Sequence, residues 1–200
     1  MDVIFDLGGV VVRWDPEAFL VDVYPDPDVR AKVRSGLVMH ADWHALDRGT
    51  LDPAEAVRRA SERTGLPEDT VVRFLDHVPA ALTTFPDTID LMRDLRRAGH
   101  TLFCLSNMGH ASIEHIERAH DFWDVFAGGV ISCRIGAIKP EPAIYEHLIA
   151  AYGLDAPRAV FIDDAPHNVE GARRVGLQAL LFEDAAQCRR DLAALGCATS

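Results

Sequence analysis

An α/β fold, a parallel sheet flanked by helices and interrupted by an all-helical insertion, is predicted by three features of the sequence. Short apolar runs rich in β-branched residues recur along the chain. Helical patterns alternate with most of them, and one long stretch near the N-terminus carries helical patterns alone. Runs that are apolar throughout suit strands covered on both faces. Strands alternating with helices of this length pair in parallel through right-handed crossovers.

In chain order, the first run occupies residues 3–5 (Val3, Ile4, Phe5). From about Asp15 to Thr84 no convincing strand follows. Asp15 with Pro16 and Asp52 with Pro53 read as N-cap-then-proline starts, Gly49 and Gly65 as breaks, and Ala56, Val57 and Ala60 as a stripe at helical spacing. A helix over 86–98 shows the stripe Leu91, Met92, Leu95 and closes at Gly99. Strand-like runs at 101–105, 129–131, 159–162 and 178–182 are separated by helical patterns near 111–120, 140–152 and 166–176. Gly153 and Gly176 sit as C-caps of the last two. The expected division is a Rossmann-like core from residues 1–14 and 85–200, with a helical cap from residues 15–84.

Composition narrows the function. The chain has 200 residues, 48% apolar and 26% charged, enough to bury a full core. A net charge of −11 repels polyanions and anionic membrane surfaces, so neither nucleic acid nor membrane is an expected partner. Cys104, Cys133, Cys188 and Cys197 form no C-x-x-C pair, which argues against a zinc site or a disulfide framework and for reduced thiols in the cytoplasm. The N-terminal apolar stretch has no basic flank and is broken by Asp6, Gly8 and Gly9, so it does not read as a signal peptide. No run approaches the ~20 apolar residues of a membrane span.

In an open parallel sheet, ligands bind beyond the carboxyl ends of the strands. There the sequence places Asp6 after the first run, Ser106 and Asn107 after the second, Lys139 and Pro140 after the third, and Asp163 and Asp164 after the fourth. Taken singly, Asp6 suits a strand-end turn, Ser106 and Asn107 a helix cap, and Lys139 a solvated lysine before a helix-starting proline. Asp163 and Asp164 are harder to dismiss, because adjacent carboxylates repel unless a cation compensates. Three carboxylates, a lysine, a hydroxyl and an amide at one edge point to a divalent cation plus an anion such as phosphate.

These residues resemble the four ordered motifs of the haloacid dehalogenase superfamily: Asp6, Leu7, Gly8, Gly9, Val10; then Ser106, Asn107; then Gly136 to Pro142 around Lys139; then Phe161, Ile162, Asp163, Asp164. Within it the chain looks like the branch of sugar-phosphate phosphatases and the N-terminal phosphatase domain of soluble epoxide hydrolases. The resemblance implies a phosphohydrolase in which Asp6 attacks phosphorus to form an aspartyl-phosphate. It implies Mg²⁺ held by Asp6, Asp164 and the Gly8 carbonyl, Lys139 neutralising Asp6 and the phosphoryl group, Ser106 and Asn107 holding phosphoryl oxygens, and Asp163 orienting a water or Lys139. The substrate implied is a small phosphorylated metabolite. Epoxide hydrolysis itself is not expected, the chain being too short for a second hydrolase domain.

One position departs from the pattern. Phosphatases of the superfamily usually carry a second aspartate two residues after the nucleophile, as general acid and base, and here that position is Gly8. Without that acid, good leaving groups are favoured, so a sugar 1-phosphate is the expected substrate type. The alternatives are a 2-haloacid dehalogenase, whose halide needs no proton, and a weakened fold that binds a phosphometabolite without hydrolysis. Asp163 and Asp164 disfavour the first, the joint presence of Asp6, Lys139 and Asp164 the second.

In the insertion, His40, Asp42, Trp43, His44, Asp47 and Arg48 are the candidates for covering the site, with His44 and Asp47 expected to bind substrate. Trp43 and Leu46 equally suit cap core, and Asp47 and Arg48 a solvated edge. His40 and His44, four apart, permit a shared metal only with a third ligand, and none is in view. His110 is placed to reach the pocket mouth. The remaining histidines read mostly as surface residues.

Overall fold

The computed structural model describes residues 1–197. Its five strands are all parallel: β1 (Asp2–Phe5), β2 (Thr101–Ser106), β3 (Phe126–Ile131), β4 (Ala159–Asp163) and β5 (Gln178–Leu181), in the order β3-β2-β1-β4-β5. β1 is central, paired with β2 through Phe5↔Cys104 and with β4 through Phe5↔Ile162. Val3, Ile4 and Phe5 are fully buried because both faces of the sheet are covered. Ile4 packs into a cluster with Phe103, Phe161, Tyr145 and Leu148. Val3 and Phe5 belong to another with Leu91, Leu95, Ile113 and Ile116. Strand order reverses at β1, so the carboxyl ends of β1, β2 and β4 flank the crevice where such sheets bind ligands.

The chain leaves β1 through a tight loop and returns beside it. Arg13 N–H donates to Thr83 O at 2.7 Å and Phe85 N–H to Val11 O at 2.9 Å, so residues 14–82 are strung between two adjacent backbone points. Five helices lie there: α1 (Pro16–Val23), α2 (Pro27–Val33, continued by a wide π turn over Arg34–Val38), α3 (Ala41–Arg48), α4 (Pro53–Thr64) and α5 (Glu68–Ala81). Asp15, Asp26 and Asp52 each cap a helix that opens on proline, their side chains accepting first-turn N–H groups. Phe19, Leu20, Leu37, Val57 and Phe74 are buried in the same cluster as Val3 and Phe5, so apolar packing runs continuously from the sheet into this segment.

The remaining helices are α6 (Pro86–Arg97), α7 (His110–Ala119), α8 (Ser132–Ile135), α9 (Pro142–Tyr152), α10 (Pro166–Arg174) and α11 (Ala185–Ala194). Sequence reading does not anticipate α8 or α11. β3 starts three residues before the run read at 129–131, because Gly128 separates Phe126 and Ala127 from it. A Cβ at Gly129 would fall 2.1 Å from Cys104 Sγ, so the strands meet there only without a side chain. The four cysteines are buried and free. No helix among the described residues is long and apolar enough to cross a membrane.

Candidate active site

Three strand ends and one loop converge. Asp6 follows β1, Ser106 ends β2, Asp163 ends β4, and Lys139 lies in the loop between α8 and α9. Lys139 Nζ sits 2.8 Å from Asp6 Oδ2 and 2.6 Å from Asp163 Oδ2, with all three side chains buried. Burial opposes the ammonium, but the carboxylates of Asp6 and Asp163 outweigh it and hold the Lys139 pKa above the ordinary lysine value. For Asp163, burial likewise opposes the charge, while Lys139, the Ala165 N–H and Asn168 pull the pKa below the usual range. Asp6 and Asp164 go the other way: burial raises both, and the neighbouring Asp163 carboxylate adds to it.

Loop geometry fixes this cluster. Leu7 O accepts hydrogen bonds from the N–H groups of Val10, Val11 and Val12, folding the chain sharply just after Asp6. Gly9 sits at φ +76°, where a Cβ would fall 2.1 Å from Asp164 Oδ2, so the missing side chain lets Asp164 reach over the loop. Lys139 is clamped by Asn107: Lys139 N–H donates to Asn107 Oδ1 at 2.8 Å, and Asn107 Nδ2 donates to Lys139 O at 3.0 Å. The Lys139–Pro140 peptide is cis.

Asp6, Asp163 and Asp164 can each offer a carboxylate oxygen within 4.8 Å of the others. Asp163 is committed to Lys139, which leaves Asp6 and Asp164 facing the cavity beside the Gly8 backbone. An all-oxygen set with two carboxylates at the cavity, Asp6 sharing Lys139 with Asp163, fits a small hard cation such as Mg²⁺, which keeps several waters. Ser106 Oγ is buried and has no hydrogen-bond partner in the protein. A buried hydroxyl of that kind is open to an acceptor from outside the protein, a ligand or a water.

A cavity of about 410 Å³ opens over the cluster. Its floor is Asp6, Gly8, Asn107, Lys139, Asp164 and Asn168; its other walls include Trp14, Val38, Met39, Trp43, Val78, Leu82 and Met108, with His44 and Asp47 among them. Trp14 and Trp43 pack with ring centroids 5.4 Å apart, and Trp43 meets Phe74 at 6.2 Å, so the aromatic wall is anchored in the helical segment's core.

The structure thus brings Asp6, Gly8, Asn107, Lys139, Asp164, His44 and Asp47 to one cavity, with Asp163 and Ser106 buried outside its lining. Several expectations need correction. The Asn107 side chain is spent on the Lys139 backbone, leaving its main chain for a ligand. His40 is the N-cap of α3 and its Nδ1 accepts from Asp42 N–H, so it does not share a helical face with His44, and no metal cluster involving them exists among the described residues. Asp42 is buried in ion pairs with Arg63 at 2.6 Å and Arg59 at 3.6 Å. Asp47 and Arg48 are not a solvated edge: Asp47 lines the cavity, and Arg48 forms a two-pronged ion pair with Glu141. Ser112, not His110, lines the pocket. Asn168, absent from the sequence reading, donates to Asp163 at 3.0 Å. Its signal was a polar residue in the first turn of α10 on an otherwise apolar inner face.

The parallel sheet thus carries a lysine-compensated aspartate at the end of its central strand, at the edge where such sheets bind ligands. The chain belongs to the haloacid dehalogenase-like hydrolases, whose family model matches residues 3–176. It is 26% identical over 195 residues, 97% of this chain and 96% of the relative, to a sesquiterpene phosphatase of Aspergillus oryzae. A predicted HAD-like hydrolase of Porphyromonas gingivalis superposes with a TM-score of 0.75 at 22% identity, covering 97% of this chain and 96% of that one. A HAD family enzyme of Bacteroides thetaiotaomicron, crystallised with magnesium and inorganic phosphate, gives 0.70 at 20% identity, covering 94% and 98%. The chain is therefore a hydrolase of this family.

Proposed function

We propose that this chain hydrolyses a phosphomonoester of an apolar alcohol through an aspartyl-phosphate on Asp6, with residues 15–84 acting as the cap that selects the alcohol. The observation that carries the reading is Lys139 bridging Asp6 and Asp163 at the floor of a cavity whose opposite walls are largely apolar. Asp6 Oδ attacks phosphorus in line, the bond to the leaving oxygen breaks, and water later cleaves the acyl phosphate. Lys139 favours the Asp6 anion against burial and stabilises charge on the phosphoryl oxygens, while Asp163 and Asn168 hold Lys139 in place. Ser106 Oγ and the Asn107 main chain supply donors to the phosphoryl group. Mg²⁺ would be held by Asp6, Asp164 and the Gly8 carbonyl, and when bound it screens the repulsion between carboxylate and phosphate.

Two observations bear on the alcohol. Gly8 favours good leaving groups, which supports a sugar 1-phosphate as a second reading. Yet a hexose needs several polar partners, and Trp14, Val38, Met39, Val78 and Leu82 offer none through their hydrocarbon surfaces. A relative named for a sesquiterpene phosphatase supports the apolar alcohol as well. Phosphate release from matched prenyl or alkyl monophosphates, a hexose 1-phosphate and its 6-phosphate, with Mg²⁺ and with EDTA, tests the reading. The apolar esters are expected to have the highest kcat/KM, and EDTA to abolish turnover. A hexose 1-phosphate ahead of them moves the assignment to the second reading, and metal-independent halide release overturns both. Asp164→Asn is expected to raise the Mg²⁺ concentration needed for half-maximal turnover, with activity partly recovered at high metal.

A further inference from the structure

Gly8 leaves the leaving oxygen without its usual proton donor, and the cavity holds one carboxyl group from outside the sheet. We infer that Asp47, at the end of α3, is the general acid and base of this hydrolase, reaching the leaving oxygen from the cap side. The assignment rests on the phosphatase reading above and goes beyond it.

The geometry comes first. Asp47 lines the same cavity as Asp6, Lys139 and Asp164. The backbone around it is latched to the two loops that carry the chemistry. Asp47 O accepts from Ser132 Oγ, which in turn accepts from Met108 N–H at 2.9 Å. Arg48 pairs with Glu141, two residues from Lys139, and its Nη1 also donates to Gly136 O at 3.2 Å. Gly49, at φ +76°, ends α3 where a Cβ would fall 2.5 Å from Cys133 O, so α8 and the end of α3 meet with no room for a side chain. A residue serving only to contact substrate on a mobile cap needs no such latch. A proton donor does, because its reach to one oxygen must be held within fractions of an ångström.

The local chemistry agrees. Burial raises the Asp47 pKa to about 7, against the Gly109 backbone, Lys139 and the Trp43 side chain, which all favour the anion. The charged and titratable groups sharing its cavity are Asp6, Asp164, Lys139 and His44, and the Cys133 thiol lies near it on α8. A carboxyl poised near neutrality suits both halves of the reaction. In the first, Asp6 Oδ bonds to phosphorus, the phosphorus–alkoxide bond breaks, and Asp47 gives its proton to the departing oxygen. In the second, the Asp47 carboxylate takes a proton from water as the water oxygen bonds to phosphorus; the acyl phosphate bond breaks, Asp6 returns as a carboxylate and phosphate leaves. Asp47 ends protonated, as it began.

The test compares wild type, Asp47→Asn and His44→Gln on monophosphates of graded leaving-group basicity, from 4-nitrophenyl through phenyl to alkyl, with Mg²⁺. Asp47→Asn is expected to lower kcat/KM about 10²-fold for the alkyl ester and only a fewfold for 4-nitrophenyl phosphate, which also shows that the variant is folded. With 4-nitrophenyl phosphate it should give a burst of nitrophenolate followed by a slower steady state, because water activation is lost. Gly8→Asp in the Asp47→Asn background should restore part of the alkyl turnover, as a Cβ at Gly8 meets only Trp14, its Cβ at 3.6 Å and Cγ at 3.9 Å, in ordinary contact. A uniform loss across leaving groups, or the graded loss appearing with His44→Gln instead, overturns the assignment while leaving the phosphatase reading intact. A wild type that releases no phosphate from any of these esters overturns that reading and the assignment with it.

Discussion

On the sheet side of the cavity, charge is met by charge: Lys139 lies between Asp6 and Asp163, and Asp163 takes further hydrogen bonds from Ala165 and Asn168. On the helical side, apolar surface from Trp14, Val38, Met39 and Val78 surrounds one carboxyl group, Asp47, held by the Gly109 backbone and Trp43 rather than by an adjacent cation. The first wall is rigid because each of its members is over-determined by the strand ends. The second tolerates change because hydrocarbon contacts are non-directional. On the reading proposed above, Asp47 is the one group of the helical side that joins the chemistry and the apolar surface around it selects the substrate, so substitutions at the charged sheet wall and at that apolar surface should have different signatures.

The largest effect is expected on the sheet side at the nucleophile. Asp6→Asn removes the attacking anion, and phosphate release should fall about 10³-fold or more. Lys139 keeps Asp163 as a partner in this variant, so the thermal midpoint should change little. Near-normal turnover would remove Asp6 from the chemistry.

Lys139→Met should break stability as well as activity. It leaves Asp6 and Asp163 buried without their shared cation, and removing one partner from a buried ion pair costs about 3–5 kcal/mol. Urea unfolding at neutral pH checks it. A loss below about 1 kcal/mol would show that the carboxylates find other compensation, and the contrast between the two walls would weaken.

A smaller effect belongs to the helical wall. Val38→Ser trades a half-buried apolar contact for a hydroxyl, worth about 1 kcal/mol or fivefold in KM for an apolar phosphomonoester. Turnover of 4-nitrophenyl phosphate should hardly move. If kcat fell equally for both substrates, Val38 would be acting on the chemistry and not on selection.

The two walls were also unequally legible in the sequence. Asp6, Ser106, Asp163 and Asp164 stand at the ends of apolar runs, with Lys139 further on before Pro140, and strand ends are the one place where a short parallel sheet delivers side chains to a common point. The helical wall has no such rule. Its contacts depend on how five short helices pack, which no local pattern encodes, so Trp43 reads equally as core and as lining. Arg48 and Glu141 lie 93 positions apart, and nothing in either neighbourhood announces their pairing. The four-residue spacing of His40 and His44 suits one helix face, but His40 precedes α3 as its cap, a placement set by backbone geometry that spacing does not encode. β3 reads short in the sequence because Gly128, small to admit Tyr152, looks like a break.

The smallest expected effect separates the walls by stability and returns to Asp47. Its carboxyl has an ordinary pKa of 3.8 when the chain is unfolded and about 7 when folded, chiefly through burial. The folded state therefore binds the proton more tightly, and wild type loses stability as pH rises from about 4 to about 7, then levels off. Asparagine keeps the shape without the titration. All other groups titrate in both proteins and cancel in the difference. Asp47→Asn should accordingly match wild type near pH 4 and become more stable by about 1 kcal/mol by pH 8, water in the open cavity reducing the full effect of the shift. The Tm of each protein measured across pH 4–8 decides it. A gain that grows with pH marks Asp47 as a group kept at the expense of stability, as a proton-transferring residue is. A difference that is flat in pH, or one in which the variant is less stable at pH 8, would mean that Asp47 is ionised without strain in the folded protein, and the helical wall would then be as well compensated as the sheet wall.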